Sequence, residues 1–513
     1  MTGESLLLIR ADATAIMGTG HAMRCLALGQ AWQDTGGRCV FVMADATPAV
    51  RQRVETEGCE VVVVRSEAGS ADDAEQFVRV AQERNATRVV VDGYQFDDHY
   101  QRTLKSAGLR ILFIDDYGHA GHYSADLVLN QNVSADQSLY ANREPYTRLL
   151  LGPRYALLRR EFNSWRDHKR EIPSTGRKVL ITLGGSDPEG LTHRAMEAVA
   201  AVKVDGLEAM AVVGGSNPHF EQLAHTALDL AKDRGMKIAL HRDVANMAEL
   251  MAWADVAISA AGTTCWELCL LALPALIIDV TENQSGVARE LHRLHCAVHL
   301  GSAREISADR LSRELEKTLR SKELRQNLAT RSRELMDGNG TRRVVTALLN
   351  KDGIHLRPAQ ESDLRLLFEW ANDPDVRAAA LSTGAISWEH HVQWFAAKMK
   401  DPGCLILIAE DETGQPVGQF RVDWRSSQDG EIDVSVSRAC RGDKYGSKII
   451  RLGADAALAT NGSGDARLHA FVKPENVASL RAFEGAGFEC LGQKDPSGHR
   501  LMHYVCAKGQ SQL

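Results

Sequence analysis

The sequence has few of the features that mark membrane or secreted proteins. Its longest apolar run, residues 268–278, contains Pro274 and is much shorter than the roughly 20 residues of a membrane-spanning helix. The N-terminus shows no basic segment followed by an apolar core and a cleavage site, so no secretory signal is expected. We therefore expect a cytoplasmic protein without a membrane span.

Neither sign of charge is in large surplus. With 60 Lys and Arg against 67 Asp and Glu, the formal net charge is −7. Such a balance gives no reason to expect nucleic acid or an anionic membrane surface as a partner. Small-molecule ligands fit this composition better, and the sequence does not indicate an oligomeric state.

The ten cysteines follow no regular spacing, which predicts reduced thiols rather than a disulfide framework. Cys265 and Cys269 share one face of a predicted helix, where packing is more common than metal binding. The densest group of metal-binding residue types consists of His292, His295, Cys296 and His299. No second paired motif supplies further ligands, so no metal is expected.

A chain of 513 residues exceeds what one hydrophobic core usually supports, and three domains are expected. Apolar runs at 6–9, 39–43, 60–64, 88–91, 111–114 and 127–129 alternate with helical patterns, as do runs at 179–183, 209–213, 237–240, 256–259 and 275–279. Both sets predict parallel sheets covered by helices. We place the domains at 1–155, 156–350 and 354–513, with a polar connection at 152–170.

The first apolar run leads through Asp12 into Gly18-Thr19-Gly20-His21, followed by a helical pattern that contains Arg24. A glycine turn before a helix lets backbone amides approach an anionic or sugar ligand closely. His21 stands at the point of approach, so this pattern predicts a nucleotide-sugar site with a base beside it.

Two further glycine turns follow strands of the second set. They are Gly184-Gly185-Ser186 and Gly262-Thr263-Thr264, and each can offer amides and hydroxyls to a diphosphate. Glu267 can accept hydrogen bonds from ribose hydroxyls, although a carboxylate in a first helical turn is also favoured by the helix dipole. Asn283 and Gln284 follow the next strand and can reach the sugar or the phosphates.

Several stretches together resemble one family. They are Arg10-Ala11-Asp12, residues 18–26, Asp115-Asp116-Tyr117, Asn130-Gln131-Asn132, residues 152–159, residues 183–187 and residues 259–267. They are similar to the UDP-2,4-diacetamido-2,4,6-trideoxy-β-L-altropyranose hydrolases of pseudaminic acid biosynthesis. The resemblance implies a two-domain GT-B fold, with His21 as general base on a water that attacks the anomeric carbon. It also implies substrate contacts from Asp12, Gly20, Arg24 and Arg159.

The sequence leaves open the reaction and the roles of His21 and Asp12. A glycosyltransferase would have the same fold and the same UDP loops, and His21 could instead be a packed or capping histidine. Asp12 could orient His21, or it could hold the turn as a structural cap.

Ile354-His355-Leu356-Arg357-Pro358 begins a new strand pattern, and residues 441–448 lead from another strand into a helix. These stretches resemble the first strand and the pyrophosphate loop of GNAT-type N-acetyltransferases, and residues 476–483 with 485–488 resemble the family's second cofactor-contacting helix and the strand after it. The resemblance implies an α+β fold that binds acetyl-CoA. The resemblance implies cofactor contacts from Arg441, Gly442, Lys444, Gly446, Ser447, Asn476 and Ser479.

Two positions depart from the GNAT pattern. Lys444 replaces a loop glycine, and Phe483 stands where many members carry a tyrosine that protonates the departing thiolate. Acid assistance would then come from water or another group, with Tyr504 and Tyr445 as candidates. Glu431 and Asp433 are candidate acceptors for the amine proton, or simply exposed strand carboxylates. A non-catalytic acetyl-CoA-binding module is the alternative.

The two resemblances together predict consecutive steps in one chain. The third domain would acetylate a UDP-4-amino-4,6-dideoxy-N-acetyl hexose, and the first two would release UDP and the free 2,4-diacetamido sugar. A legionaminic-type route would use similar loops, and the residues do not distinguish the two.

Overall fold

The computed structural model describes residues 5–14, 18–184, 187, 189–215, 217–234, 236–244, 246–349, 353–380, 382–411, 414–442, 445–461, 463, 465–494 and 501–507. It divides into two compact units, residues 1–348 and 349–513. The first unit contains two sheets and the second contains one.

The first sheet has seven parallel strands in the order β3-β2-β1-β4-β5-β6-β7. The strands are β1 Leu6–Ala11, β2 Arg38–Met43, β3 Glu60–Val63, β4 Arg88–Asp92, β5 Arg110–Ile114, β6 Leu127–Asn130 and β7 Arg148–Leu151. The helices are α1 Gly20–Asp34, α2 Pro48–Thr56, α3 Ala71–Glu83 and α4 Asp98–Ser106.

The second sheet has six parallel strands in the order β10-β9-β8-β11-β12-β13. The strands are β8 Lys178–Thr182, β9 Glu208–Val213, β10 Lys237–Arg242, β11 Val256–Ala260, β12 Ala275–Asp279 and β13 Val298–Ser302. The helices are α5 Leu191–Ala200, α6 Phe220–Arg234, α7 Met247–Trp253, α8 Thr264–Leu270, α9 Ser285–Arg293, α10 Ala308–Arg320, α11 Lys322–Leu335 and α12 Gly340–Leu349.

Burial on both faces explains why the central strands read as continuous apolar runs. Leu7, Leu8 and Ile9 in β1 are fully buried, as expected for a parallel sheet with helices on each side. The alternation predicted from the sequence is confirmed. The sequence analysis missed β7, whose four residues Arg148–Leu151 follow a turn and are too short to show a period.

Helix α12, the last helix of the first unit, packs against the segment after β7 and hydrogen-bonds to Arg110 of β5. Thr341 Oγ1 accepts a hydrogen bond from the Leu158 amide at 2.8 Å, and Arg110 Nε donates to the Leu348 carbonyl at 3.1 Å. A Cβ atom on Gly340 would lie 2.3 Å from the Ala156 carbonyl oxygen. The segment that connects the two sheets is therefore packed against the last helix of the unit.

The second unit is a mixed seven-stranded sheet in the order β14-β15-β16-β17-β18-β20-β19. The strands are β14 Ile354–Pro358, β15 Cys404–Asp411, β16 Pro416–Trp424, β17 Asp429–Val436, β18 Arg467–Val472, β19 Glu489–Lys494 and β20 Leu501–Ala507. The helices are α13 Leu364–Ala371, α14 Pro374–Ala379, α15 Trp388–Lys400, α16 Tyr445–Thr460 and α17 Val477–Gly485. Among these seven described strands, β17 and β18 pair in parallel and the other neighbours pair antiparallel.

Gly453 lets α16 pack against the ring of Phe420. A Cβ atom at this position would lie 2.3 Å from two ring atoms. We expect Gly453→Ala to lower the free energy of unfolding by about 1–3 kcal/mol, because overpacking outweighs the gain in helix propensity. Urea unfolding of the full chain measures this. Gly384→Ala, where no atom lies within 4 Å of the new Cβ, is the control, and equal stability of both variants would contradict the packing argument.

Candidate functional site

His21 lies at the start of α1, directly after the turn at Gly18, whose φ of +81° favours glycine. Its side chain is almost buried, and its Nδ1 atom is 2.7 Å from Oδ1 of Asp92. Asp92 is the last residue of β4, which lies beside β1 in the sheet. The carboxyl ends of adjacent parallel strands thus bring the histidine and the carboxylate together.

Arg24, one helical turn after His21, holds the same carboxylate. Its Nε and Nη2 atoms each donate to Asp92 at 2.7 Å, and its Nη1 atom donates to Asp116 at 2.9 Å. Burial alone would raise the pKa of Asp92, but the Arg24 guanidinium and then His21 bring it well below its usual range. Asp92 is therefore an ionised, fully buried carboxylate.

An ionised Asp92 decides where the neutral imidazole carries its proton. A carboxylate can only accept hydrogen bonds, and the 2.7 Å contact with Asp92 is shorter than the 3.2 Å between Nδ1 and Nη2 of Arg24, so Nδ1 of His21 donates to Asp92. The lone pair then lies on Nε2. This is the arrangement of an oriented general base.

Asp12 is not the carboxylate that orients His21. Its Oδ1 atom accepts from Nη1 of the buried Arg10 at 2.7 Å and from the amides of Ala44 and Asp45 at 2.7 and 3.2 Å. These contacts hold Arg10 and the loop that follows β2. The predicted substrate contacts of Asp12 and Gly20 stay predictions.

The sequence analysis missed both Asp92 and Tyr94. The Tyr94 ring meets the His21 ring edge-on, with centroids 4.9 Å apart. Its hydroxyl donates to Asp116 at 2.9 Å and accepts from Nδ2 of Asn283, on the second sheet domain, at 3.1 Å. The available signal was Asp92-Gly93-Tyr94, a polar turn at the carboxyl end of an apolar strand.

The predicted diphosphate loops lie at the carboxyl ends of β8 and β11. Gly184 has a φ of +100°, whereas Gly185 and Ser186 lie outside the described residues. Gly262, Thr263 and Thr264 connect β11 to α8. A Cβ atom on Gly262 would lie 3.7 Å from Nε2 of Gln284, so the predicted residues after β12 lie beside the Gly262 turn.

The amides at the start of α5 already have an anionic partner. The buried Asp187 accepts from the amides of Leu191 and Thr192, at 2.8 Å each. A phosphate group would have to displace this carboxylate to use those two donors. Within the second sheet domain, the turn at Gly262 is the better diphosphate candidate.

Glu267 and Arg159, both predicted to contact substrate, contact each other. Arg159 Nη2 donates to Oε1 of Glu267 at 2.9 Å. Burial raises the pKa of Glu267, and the Arg159 guanidinium opposes that rise. One carboxylate oxygen is thus held by arginine. The ribose role of Glu267 stays a prediction.

In the second unit, β17 and β18 separate where the acetyl-CoA site is predicted. The strands pair only over Asp429–Glu431 and Arg467–His469, although β17 continues to Val436 and β18 to Val472. The turn before α16 follows, with Gly442 at a φ of +98°. Unpaired amides in such an opening suit a pantetheine arm and its pyrophosphate. Lys444 lies outside the described residues.

Arg441 and Asn476, both predicted to contact the cofactor, form hydrogen bonds within the protein. Arg441 donates to Asp375 at 2.6 Å and to Asp373 at 2.8 Å, so its side chain ties the turn to α14. The Asn476 side chain accepts from the Ser479 amide at 3.1 Å and caps α17. Gly446 and Ser447 lie in the first turn of α16. Their contacts with a cofactor stay predictions.

The contacts of Phe483 and Tyr504 do not identify a group that would protonate the departing thiolate. Phe483 packs in the core against Phe488 and Tyr504. Tyr504 is buried and donates to Glu484 at 3.0 Å, and burial with this carboxylate raises its pKa to about 12.

Among the residues that the structure describes, no group of three or more His, Cys, Asp or Glu side chains is arranged to hold a metal ion. In the same part of the chain, no helix is both long enough and apolar enough to cross a membrane. His299, from the dense histidine group, lies 3.0 Å from Asp279.

Comparison with known proteins identifies two regions. Residues 179–342 match the glycosyltransferase family 28 C-terminal domain, and residues 354–489 match the acetyltransferase (GNAT) domain. An uncharacterized protein of Methanocaldococcus jannaschii, MJ1062, is 22% identical over 496 residues, which cover 93% of this chain and 95% of that protein.

Two further relatives cover parts of the chain. The spore coat polysaccharide biosynthesis protein SpsG of Bacillus subtilis is 28% identical over 240 residues, 47% of this chain and 68% of SpsG. A UDP-N-acetylglucosamine–N-acetylmuramyl-(pentapeptide) pyrophosphoryl-undecaprenol N-acetylglucosamine transferase of Azotobacter vinelandii is 29% identical over 189 residues, 36% of this chain and 51% of that enzyme.

The chain therefore consists of two parallel-sheet, Rossmann-like domains in a GT-B arrangement, followed by a GNAT acetyltransferase domain. This confirms the predicted fold class. The GT-B region is similar to SpsG and to the transferase of Azotobacter vinelandii. The two matched domains support an enzyme.

The buried Asp92 gives a stability prediction. Asp92→Asn leaves Arg24 without one of its two carboxylates, and we expect a loss of about 3–5 kcal/mol at pH 7. The folded pKa lies below the unfolded value. The stabilisation is thus fully present above the unfolded pKa of about 3.9 and is lost as the pH falls toward the folded pKa.

Urea unfolding of wild type and variant at pH 7, 5, 4 and 3 measures this difference. It should be constant between pH 7 and 5 and shrink below pH 4. Asp98→Asn removes an exposed pair with Arg102 and should cost less than about 1 kcal/mol. A loss as small for Asp92→Asn would contradict the ion-pair assignment.

Proposed function

We propose that residues 1–348 hydrolyse a UDP-activated amino sugar, with residues 1–155 carrying the base and residues 156–350 holding UDP. The observation that carries the proposal is the hydrogen bond from Nδ1 of His21 to the ionised Asp92. It leaves Nε2 as the atom that can take a proton from water. The turn at Gly262 in the second sheet domain would supply amides for the diphosphate.

In the reaction, Nε2 of His21 removes a proton from a water molecule, whose oxygen attacks the anomeric carbon. The bond from that carbon to the UDP oxygen breaks, and UDP leaves with the electron pair. Attack opposite the leaving group inverts the anomeric centre. Charge on the imidazolium is balanced by Asp92 at 2.7 Å, and a base of this kind contributes ~10²–10⁴ in rate.

The second unit supports a specific substrate class. A GNAT domain transfers an acetyl group from acetyl-CoA, and in the same chain it would acetylate the amine of a UDP-4-amino-4,6-dideoxy-N-acetyl hexose. The product would be the UDP-2,4-diacetamido sugar that the first unit cleaves. We assign both steps to the cytoplasmic synthesis of a nonulosonic acid of the pseudaminic type.

Glycosyl transfer is the second candidate for the first unit. It is favoured by the match of residues 179–342 to a glycosyltransferase domain. Such an enzyme would deliver the sugar to an acceptor alcohol instead of water. The two reactions differ in whether UDP appears without an acceptor.

We expect the full chain to release UDP from UDP-2,4-diacetamido-2,4,6-trideoxy-β-L-altropyranose without any acceptor. His21→Ala should lower kcat by ~10²–10⁴, because the base is lost. His99→Ala, an exposed histidine of α4, is the control and should keep the wild-type rate. NMR of the products gives the anomeric outcome. UDP release that requires an added alcohol would reject hydrolysis in favour of glycosyl transfer.

For the second unit, we expect thiol release from acetyl-CoA to depend on an amino sugar. Gly442→Ala places a side chain at a φ of +98°, a strain of about 1–2 kcal/mol that should displace the pyrophosphate turn. The KM for acetyl-CoA should therefore rise about tenfold, with UDP release unchanged. Gly384→Ala is the control. Tight acetyl-CoA binding without amine-dependent thiol release would indicate a non-catalytic module.

A further inference from the structure

The turn after β5 carries an exposed tyrosine next to the His21 site. Tyr117 lies shortly after Ile114, the last residue of β5, and it is 47% exposed. Its ring centroid lies 5.0 Å from that of Tyr94, whose ring lies 4.9 Å from the His21 ring. Because β4 and β5 are parallel neighbours, the turns at their carboxyl ends meet at one edge of the sheet. Tyr117 is therefore separated from the proposed base by a single aromatic ring.

One buried carboxylate holds this turn in place. Asp115 accepts hydrogen bonds from the amides of Tyr117 and Gly118 at 2.9 Å each and from the amide of His119 at 3.1 Å. The rings of Tyr117 and His119 have centroids 5.6 Å apart, and Nε2 of His119 donates to the Phe96 carbonyl at 3.0 Å. The Tyr117 ring thus packs against neighbours that have their own hydrogen bonds. A surface held in this way loses little conformational entropy when a ligand binds to it.

Leu139 adds apolar surface beside the same turn. It lies in the short helical turn Gln137–Tyr140 and is 40% exposed. A Cβ atom on Gly118 would lie 2.8 Å from the Leu139 carbonyl oxygen and 3.3 Å from the Leu139 Cβ atom. Leu139 therefore lies directly against the residue that follows Tyr117. Exposed apolar side chains that adjoin each other beside convergent polar groups are typical of a ligand-binding surface.

Asp116, which precedes Tyr117, is already hydrogen-bonded within the protein. It accepts from Nη1 of Arg24 and from the Tyr94 hydroxyl at 2.9 Å each, and from Nδ2 of Asn132 at 3.0 Å. A sugar hydroxyl would have to compete with these donors, and its burial against Tyr117 without a partner would cost free energy. Methyl groups gain free energy on the same surface. The site therefore favours a hexose that carries methyl groups in place of hydroxyls.

We propose that Tyr117 and Leu139 form an apolar subsite for the hexose of the sugar nucleotide. This inference rests on the proposed hydrolysis. His21 activates the water that attacks the anomeric carbon, so that carbon lies beside the imidazole and the other sugar substituents extend over the neighbouring turns. The subsite receives methyl groups of the 6-deoxy carbon and of the acetamido substituents. Tyr117 is then a specificity-determining residue, and UDP lies apart from it on the second sheet domain.

The first test measures steady-state UDP release by the full chain from UDP-2,4-diacetamido-2,4,6-trideoxy-β-L-altropyranose. Tyr117→Ala should raise KM about tenfold and leave kcat near the wild-type value, because a contact made equally in the ground and transition states changes KM alone. Tyr117→Phe keeps the ring and should behave as wild type. Tyr146→Ala is the control, since this tyrosine is 52% exposed and precedes β7, at the opposite edge of the sheet.

Inhibition by UDP and by UDP-N-acetylglucosamine separates the sugar from the nucleotide. The inhibition constant of UDP should be the same in wild type and in Tyr117→Ala. UDP-N-acetylglucosamine carries hydroxyls at C4 and C6, so its inhibition constant should change much less than the KM of the substrate. A UDP inhibition constant that rises as much as this KM would place the nucleotide on Tyr117 and overturn the sugar subsite.

Binding without turnover gives an independent readout. In a His21→Ala background, the full chain should hold the substrate long enough for proton NMR, and packing on the Tyr117 ring should shift at least one of its methyl resonances upfield. The shift should persist with Tyr117→Phe and be lost with Tyr117→Ala. Leu139→Asn is a second variant of the subsite and should raise the Kd of the substrate about threefold in the same background.

The outcomes separate the subsite from the reaction. An unchanged KM in Tyr117→Ala, together with an unchanged methyl shift, would overturn the apolar subsite while hydrolysis stands. A substrate that binds with the upfield shift yet releases no UDP from the wild-type chain would overturn the proposed hydrolysis and leave the subsite in place. A wild-type chain that neither binds nor cleaves this substrate would overturn both.

Discussion

The first unit depends on one buried negative charge. Asp92 is completely enclosed, and it is held there by two hydrogen bonds from Arg24, one from His21 and one from the Cys25 thiol. Its contact with Nδ1 also fixes the tautomer of His21. Stability and reactivity therefore rest on one carboxylate, whose removal disturbs both.

The buried charges at Arg10 and Asp187 in this unit are also paired or hydrogen-bonded. Arg10 lies between Asp73 and Asp12, and Asp12 in turn accepts from two loop amides. Asp187 is satisfied by the amides of α5. In each case, a charged group removed from water is paired or fully hydrogen-bonded, which a buried ion requires.

The fold was largely predictable from the sequence because parallel strands buried on both faces leave long apolar runs between helical patterns. The positions of the glycine turns and of His21 were predictable for the same reason, since each follows a strand. The carboxylate that contacts His21 was not predictable from the sequence. Asp12 and Asp92 both end neighbouring strands, and only the packing of α1 against β4 decides which carboxylate meets the imidazole.

A contact between distant parts of the chain explains a further difference. Arg441 was expected at the cofactor, yet its guanidinium reaches Asp373 and Asp375, more than 60 residues earlier. Nothing in the sequence around Arg441 indicates these two partners.

The contact between Tyr94 and Asn283 also bears on how the two sheet domains can move. It is one hydrogen bond between neutral side chains, 3.1 Å long, with a net value of about 0.5–1.5 kcal/mol. His21, Arg24, Asp92 and Asp116 all belong to the first sheet domain. Separation of the domains at this contact would therefore leave the contacts of His21 intact, and the proposed nucleotide could leave and be replaced without any rebuilding of them.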